Sequence, residues 1–221
     1  MSLRSRFHSF LSAFFLFACF SITTNVYAQT QESQKKNSAN SIVLVEVLGK
    51  QVTTKSATPP ADELVAIRDN AGGEYNAVLE HIIKMNASNT VIQTVLDDYA
   101  MQKGITPNQT WITQFKAKFQ GDLSASEQTA SSLDEIAKKQ VVLFQTEKAM
   151  FSEFGGRVIF RQSNPQMPID AYQALLKSYE QQGKLTFKNA KLAASFWASF
   201  TPPFQFEVPT SNVNFDKPWW L

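Results

Sequence analysis

TVIQTVLDDYAMQKGITPNQTWITQFKAKF, residues 90–119, holds two helices and the corner between them. Val91, Ile92, Val95, Leu96 and Tyr99 recur at helical spacing and give one apolar face. Gly104 stands where that helix should stop, because glycine enters the left-handed C′ conformation at little cost. A new start signal follows at once: Thr106 can cap, Pro107 suits the first helical position, and Gln109 completes a capping box. Trp111, Ile112, Phe115 and Phe119 form the next apolar stripe. The expectation is a helical hairpin with a tight Gly-Ile-Thr-Pro corner.

Working outward, Ile42 to Leu48 is a β-branched run that predicts a strand. Gly49 turns it, and Val52-Thr53 continues it as a hairpin arm. Thr58 or Asp62 starts a helix through Leu64, Val65 and Ile67, which Gly72-Gly73 breaks or kinks. Glu74 to Met85 is helical, and Asn86 to Thr90 is expected to be a polar corner. On the other side, Gly121 to Ser132 is a Ser/Ala/Gln linker. Leu133 to Phe154 is the longest helix, with Ile136, Leu143 and Met150 spaced by sevens and Phe144 and Phe151 beside them. Gly155-Gly156 ends it and Arg157 to Arg161 is extended. Asn164-Pro165 and Pro168 make a turn. Ile169 to Gln182 is helical, Lys184 to Phe187 is extended, and Asn189 caps a last helix that Pro202-Pro203 terminates. The fold class is therefore mainly α: one irregular domain of about six helices with a short N-terminal strand or hairpin.

The first 28 residues carry the features of an export signal. Arg4 and Arg6 form a basic start, Phe7 to Phe20 is an apolar run, and Val26-Tyr27-Ala28 is a small-residue cleavage site. A lipid-modified Cys19 is the rival reading, and bulky Phe17 argues against it. Gln29 to Ser41 is polar and predicts a disordered leader. The implied divisions are a cleaved signal 1–28, a leader 29–41, a helical domain 42–203, and an extended aromatic tail 204–221 packed on the body.

Loss of residues 1–28 removes two arginines and no acid, so the 21 Lys+Arg of the whole chain fall to 19 against 19 Asp+Glu. A formally neutral chain lacks the basic footprint of a nucleic-acid binder. Cys19 is the single cysteine, so the trimmed chain has neither disulfide nor thiol chemistry.

The residues that carry chemistry elsewhere are sparse. His81 is the one histidine left after cleavage, and a metal site needs several converging ligands. Asp97 and Asp98 are adjacent on a helix, point in different directions and predict a solvated face. Gly155-Gly156-Arg157 follows a helix instead of preceding one, the wrong polarity for a phosphate loop. No nucleotide fingerprint and no nucleophile elbow occurs. No cofactor, metal or catalytic residue is assigned. Arg157 and Arg161 would share a face with residue 159 in an extended segment. Pairing with Glu147 or Glu153 is the ordinary expectation for them, and carboxylate recognition on a peptide the sharper one. From Phe196 onward, eight aromatic residues and four prolines fall in 26 positions, too many prolines for an ordinary helix. Such a tail either fills a core or faces an apolar partner. Tyr99, Trp111, Phe115, Phe119, Phe144 and Phe151 lie on predicted apolar faces and are the candidate groove into which the tail, with its Phe204-Gln205-Phe206, would lie.

The hairpin with its Gly104-Ile105-Thr106 corner, and Val45-Glu46-Val47-Leu48-Gly49-Lys50-Gln51-Val52-Thr53 upstream of it, resemble the N-terminal helical module of SurA-type periplasmic chaperones, a peptide-binding module also of trigger-factor type. The block Phe154-Gly155-Gly156-Arg157-Val158-Ile159-Phe160, with Asp170-Ala171-Tyr172 and Phe196-Trp197, resembles the C-terminal part of the same group. The family places parvulin prolyl-isomerase domains after the module, and only the 121–132 linker stands there in this chain. The resemblance implies an exported, periplasmic, non-enzymatic protein that binds unfolded or extended polypeptide, with clients of aromatic-x-aromatic pattern. The alternative is a structural or docking subunit with one fixed envelope partner, and a degenerate prolyl isomerase comes third.

Overall fold

The computed structural model describes residues 41–121 and 130–221. The expected signal segment, most of the leader and most of the linker lie outside these residues. The chain begins with strand β1 (Val43–Val47), turns through Leu48 and Gly49, both at positive φ, and returns as β2 (Lys50–Thr53). One helical turn, α1 (Thr54–Ala57), follows, fixed by a reciprocal capping box between Thr53 and Ser56. Then come α2 (Ala61–Ala71), a 3₁₀ turn at Gly72–Glu74, and α3 (Tyr75–Gln102).

The polar corner expected at Asn86 to Thr90 does not exist, because α3 runs unbroken through it for 28 residues. Ser88 and Thr90 donate their hydroxyls to the carbonyls of Lys84 and Asn86, four residues back, and Thr94 does the same to Thr90. Side chains that satisfy themselves on the helix need not leave it. Asn86 reaches outward, donating its amide to the carbonyl of Ala57 at 3.0 Å, and Ala87 beside it is fully buried. A polar cluster without glycine or proline is a weak stop signal, and packing on α1 overrode it.

Gly104 ends the helix as expected, at φ +64°, with the amide of Ile105 bonded to the carbonyl of Ala100 at 2.9 Å. The next helix, α4 (Gln109–Phe119), starts later than the Thr106 capping box predicts. Asn108 is the cap and accepts the Trp111 amide at 3.0 Å. Its own amide and the Thr106 carbonyl are both held by the Gln145 side chain, at 3.1 and 3.0 Å. That brace comes from α5 (Ala130–Phe154), so the start of α4 is set by a neighbouring helix.

After α5, Gly155 and Gly156 adopt positive φ, and Gly156 lies so close to Asp170 that a Cβ would collide with its side chain. A short hairpin follows, β3 (Ile159–Arg161) with β4 (Asn164–Met167). The turn expected at Asn164-Pro165 is thus a strand, and the reversal falls at Gln162-Ser163. The register slips between Ile159 and Arg161, so the simple alternation expected over residues 157–161 fails: Val158 and Ile159 are both buried. Helix α6 (Ile169–Gln181), strand β5 (Leu185–Phe187) and α7 (Ala190–Ala198), capped by Asn189, complete the elements. Strand β5 pairs antiparallel with β1, giving a three-stranded sheet in the order β2-β1-β5. Six helices longer than one turn occur among the described residues, with a short N-terminal hairpin. The protein is mainly α.

Three tyrosine-to-carboxylate bonds tie α3, α5 and α6 pairwise. Tyr99 of α3 donates to Glu153 of α5 at 2.7 Å, Tyr172 of α6 to Glu147 of α5 at 2.6 Å, and Tyr179 of α6 to Asp98 of α3 at 2.6 Å. Each of these bonds has a fixed direction, so the triangle sets helix orientation as well as contact. Asp98 is therefore a helix-helix tie instead of the solvated residue expected, while Asp97 accepts from Gln93 one turn back. His81 is exposed.

Candidate functional site

The aromatic stripes on α4 and α5 face each other. Trp111 meets Phe144 edge-on at 5.5 Å between ring centroids, and Phe115 lies 4.5 Å from Phe119. Edge-to-face and tilted ring pairs of this kind gain from their quadrupoles beyond the area they bury. Phe151 extends the line about two turns further along α5. Five of the six groove candidates, Trp111, Phe115, Phe119, Phe144 and Phe151, thus form one surface. Tyr99 does not join them. It belongs to the other cluster of buried side chains, and its hydroxyl is spent on Glu153. Burial and the Glu153 carboxylate both push the Tyr99 phenol upward, so it stays neutral.

The groove is occupied by residues of the chain's own tail. Phe215 sits 4.8 Å from Phe151, and Trp220 presents its edge to Phe115 at 5.3 Å and to Phe144 at 5.8 Å. Trp219 covers Phe119 at 6.1 Å. Trp220 is 1% exposed, among the largest fully buried side chains in the molecule. Its indole Nε1 has no hydrogen-bond acceptor among the described residues. The tail pairs briefly with β3 at Glu207, makes a 3₁₀ turn at Thr210–Asn212 and then enters the groove. Phe160 donates its amide to the Phe206 carbonyl, Val208 donates to Val158, and Gln166 of β4 grips the Asn214 backbone through both ends of its amide. Phe204 and Phe206, the aromatic-x-aromatic pair expected in the groove, do not enter it. Phe204 packs over Arg157 at 5.1 Å, and Phe206 is 57% exposed.

Arg157 and Arg161, paired in expectation, are separated. Arg157 forms a two-pronged pair with Asp170, Nε to Oδ2 and Nη2 to Oδ1, both 2.9 Å, and its backbone amide donates to the same carboxylate. The guanidinium holds the Asp170 carboxyl below its ordinary range. Glu207 approaches Arg157 to 3.9 Å. Neither Glu147 nor Glu153, the acids expected to pair, is its partner. Asp170 lies in the next helix, brought near by the tight Gly156 turn. Arg161 is exposed.

Glu147 was expected only as a possible arginine partner, and its own position is the least ordinary in the chain. It is 3% exposed, and a single oxygen, Oε1, accepts from both Tyr172 and Asn164 at 2.6 Å. Burial pushes its carboxyl up to about 8 against the restraint of those two hydrogen bonds. It is a neutral acid near pH 7. The apolar neighbours on α5, Phe144, Met150 and Phe151, offered a signal that the helix is hemmed in on more than one side.

Among the described residues no group of three or more His, Cys, Asp or Glu could hold a metal ion. No helix among them is long and apolar enough to cross a membrane. Compared with protein-family models, with curated proteins and with solved structures, the chain shows no match.

Proposed function

We propose that this is a non-enzymatic polypeptide-binding protein of the cell envelope, acting as a chaperone-like or assembly factor through the α4–α5 groove. The observation that carries the reading is the occupant: an irregular peptide segment, with Phe215, Trp219 and Trp220 as anchors, already lies across Phe115, Phe119, Phe144 and Phe151. A surface that takes an aromatic peptide segment in cis has the chemistry to take one in trans, with the linked tail competing as a high local concentration of ligand. The resemblance to the SurA-type module points the same way.

A labelled peptide with the sequence of residues 210–221 tests it. The purified protein should bind this peptide saturably, unfolded polypeptide should displace it, and a version with Ser in place of Phe215, Trp219 and Trp220 should not bind. Failure of the unaltered peptide to bind, at any concentration short of aggregation, rejects the groove as a trans site. The compartment rests on Val26-Tyr27-Ala28: N-terminal sequencing of the protein from cells should begin at Gln29, and a lipid on Cys19 would contradict it.

A further inference from the structure

Beside β3, the segment 198–206 leaves an open cleft of about 340 Å³. Its lining includes Phe160, Arg161, Ser199, Thr201, Phe204 and Phe206. Phe160 and Phe206 are hydrogen-bonded to each other through their backbones at 2.8 Å, so their positions are fixed relative to one another. Both rings stand open to solvent, at 50% and 57%. Phenylalanines exposed this far and side by side are unusual next to a core that has absorbed nearly every other ring. Arg161 adds charge of one sign. Its charge reaches the Tyr172 phenol, yet among the described residues no carboxylate lies within ion-pair distance of it. Arg157, four residues before, is by contrast saturated by Asp170.

We propose that this cleft binds the C-terminal residue of a peptide ending in an aromatic side chain, with the ring held by Phe160 and Phe206 and the terminal carboxylate by Arg161. The cleft lies in the lower part of the size range of ligand sites, enough for one aromatic residue and its carboxylate. A planar guanidinium matches a carboxylate with two parallel hydrogen bonds, which a neutral amide cannot offer. The two rings supply the apolar contact that an isolated surface arginine lacks. Ser199 and Thr201 already donate their hydroxyls to the carbonyls of Ser195 and Trp197, which leaves their oxygens oriented as acceptors for a peptide amide. This site is independent of the α4–α5 groove and does not require the tail to move.

The test is an NMR titration of the purified protein with acetyl-Ala-Ala-Phe as the free acid and as the C-terminal amide. The acid should shift amides at 160–161 and 199–206, leave 112–119 unmoved, and bind about tenfold more tightly than the amide, the usual scale for loss of a charge-assisted pair. Arg161→Gln, at an exposed position, should bring the acid down to the affinity of the amide and leave amide binding as it was. Phe206→Ser should weaken both. Equal binding of acid and amide to the unaltered protein overturns the proposal, as does unchanged acid binding in the Arg161 variant. Shifts confined to 112–119 would assign the peptide to the groove instead, and no shift at millimolar peptide would leave the cleft without this ligand.

Discussion

Two clusters of buried side chains share helix α5, and they are made differently. One joins the sheet to α3, α6 and α7 through aliphatic residues, Val45, Val47, Val91, Val95, Leu176 and Leu185 among them. Its polar tips are matched, since the hydroxyls of Tyr99, Tyr172 and Tyr179 each meet a carboxyl group. The other is built from Ile112, Phe115, Ala137, Val141 and Phe144 and is completed by Phe215 and Trp220 from an irregular tail. There a buried indole N–H meets no acceptor among the described residues. An unmatched buried donor costs roughly 1–3 kcal/mol. The first cluster is closed by regular elements, while the second depends on a segment whose own hold is partly backbone pairing and partly ring packing. The difference locates the part of the molecule that can open.

The largest effect should come from emptying the second cluster. Trp220→Ala removes a fully buried ring and should destabilise the protein by about 3–5 kcal/mol in a denaturant titration. Hydrogen exchange should quicken in α4 and the first half of α5 well before it does in α3 and α6. Equal loss of protection in both would show that the clusters melt as one unit and erase the distinction.

Glu147 tests the other side. Its folded-state value is about 8 against an ordinary 4.5. Below the ordinary value both folded and unfolded chains hold the proton, and stability is unaffected. Between the two values only the folded chain holds it, so stability declines as pH rises and levels off above the folded value. The loss is on the order of 5 kcal/mol across that window. Glu147→Gln keeps an oxygen for Tyr172 and Asn164 and carries no charge. The variant should lose this slope and melt higher than the unaltered protein at pH 9, with little difference at pH 4. Parallel melting curves for the two proteins across the range would mean that Glu147 is ionised in the folded chain.

The smallest effect concerns the corner between α3 and α4. Gly104 has open space where a side chain would stand, so replacement is costly for its backbone conformation alone. Gly104→Val should destabilise by about 1–3 kcal/mol, and Gly104→Asn by less, because asparagine tolerates the left-handed region. Identical melting of both variants would place the strain elsewhere.

The helical hairpin was legible because periodic rings and a lone glycine are local signals. Val91, Val95, Leu96 and Tyr99 on one side and Ile112 and Phe115 on the other are buried where spacing put them. What escaped were choices made between distant parts of the chain. Asn86 stays helical because Ala57 offers it a carbonyl. Asn108 caps α4 in a corner braced by Gln145. Arg157 finds Asp170 because Gly156 permits the close approach. The tail shows the same limit: its aromatic content marked it as a packed segment, yet pattern alone selected Phe204 and Phe206 for the groove. Pairing of the 206–208 segment with residues 158–160, at the start of β3, holds those rings outside and delivers Phe215 and Trp220 instead.

The pairing of β5 with β1 bears on the order in which the molecule can be assembled. Val45 has no partner on that side until Phe187 has been made, and the aromatic cluster has no Trp220 until later still. Contacts of such long separation in sequence slow folding, because the intervening chain must be ordered before they reward it. A chain delivered from its N-terminus therefore carries an open sheet edge until β5 is made, and an uncovered aromatic groove from the completion of α5 until the tail follows. During that interval it exposes the kind of surface that other folding proteins must be shielded from, and a helper for its own maturation would act between the appearance of α4 and that of the tail.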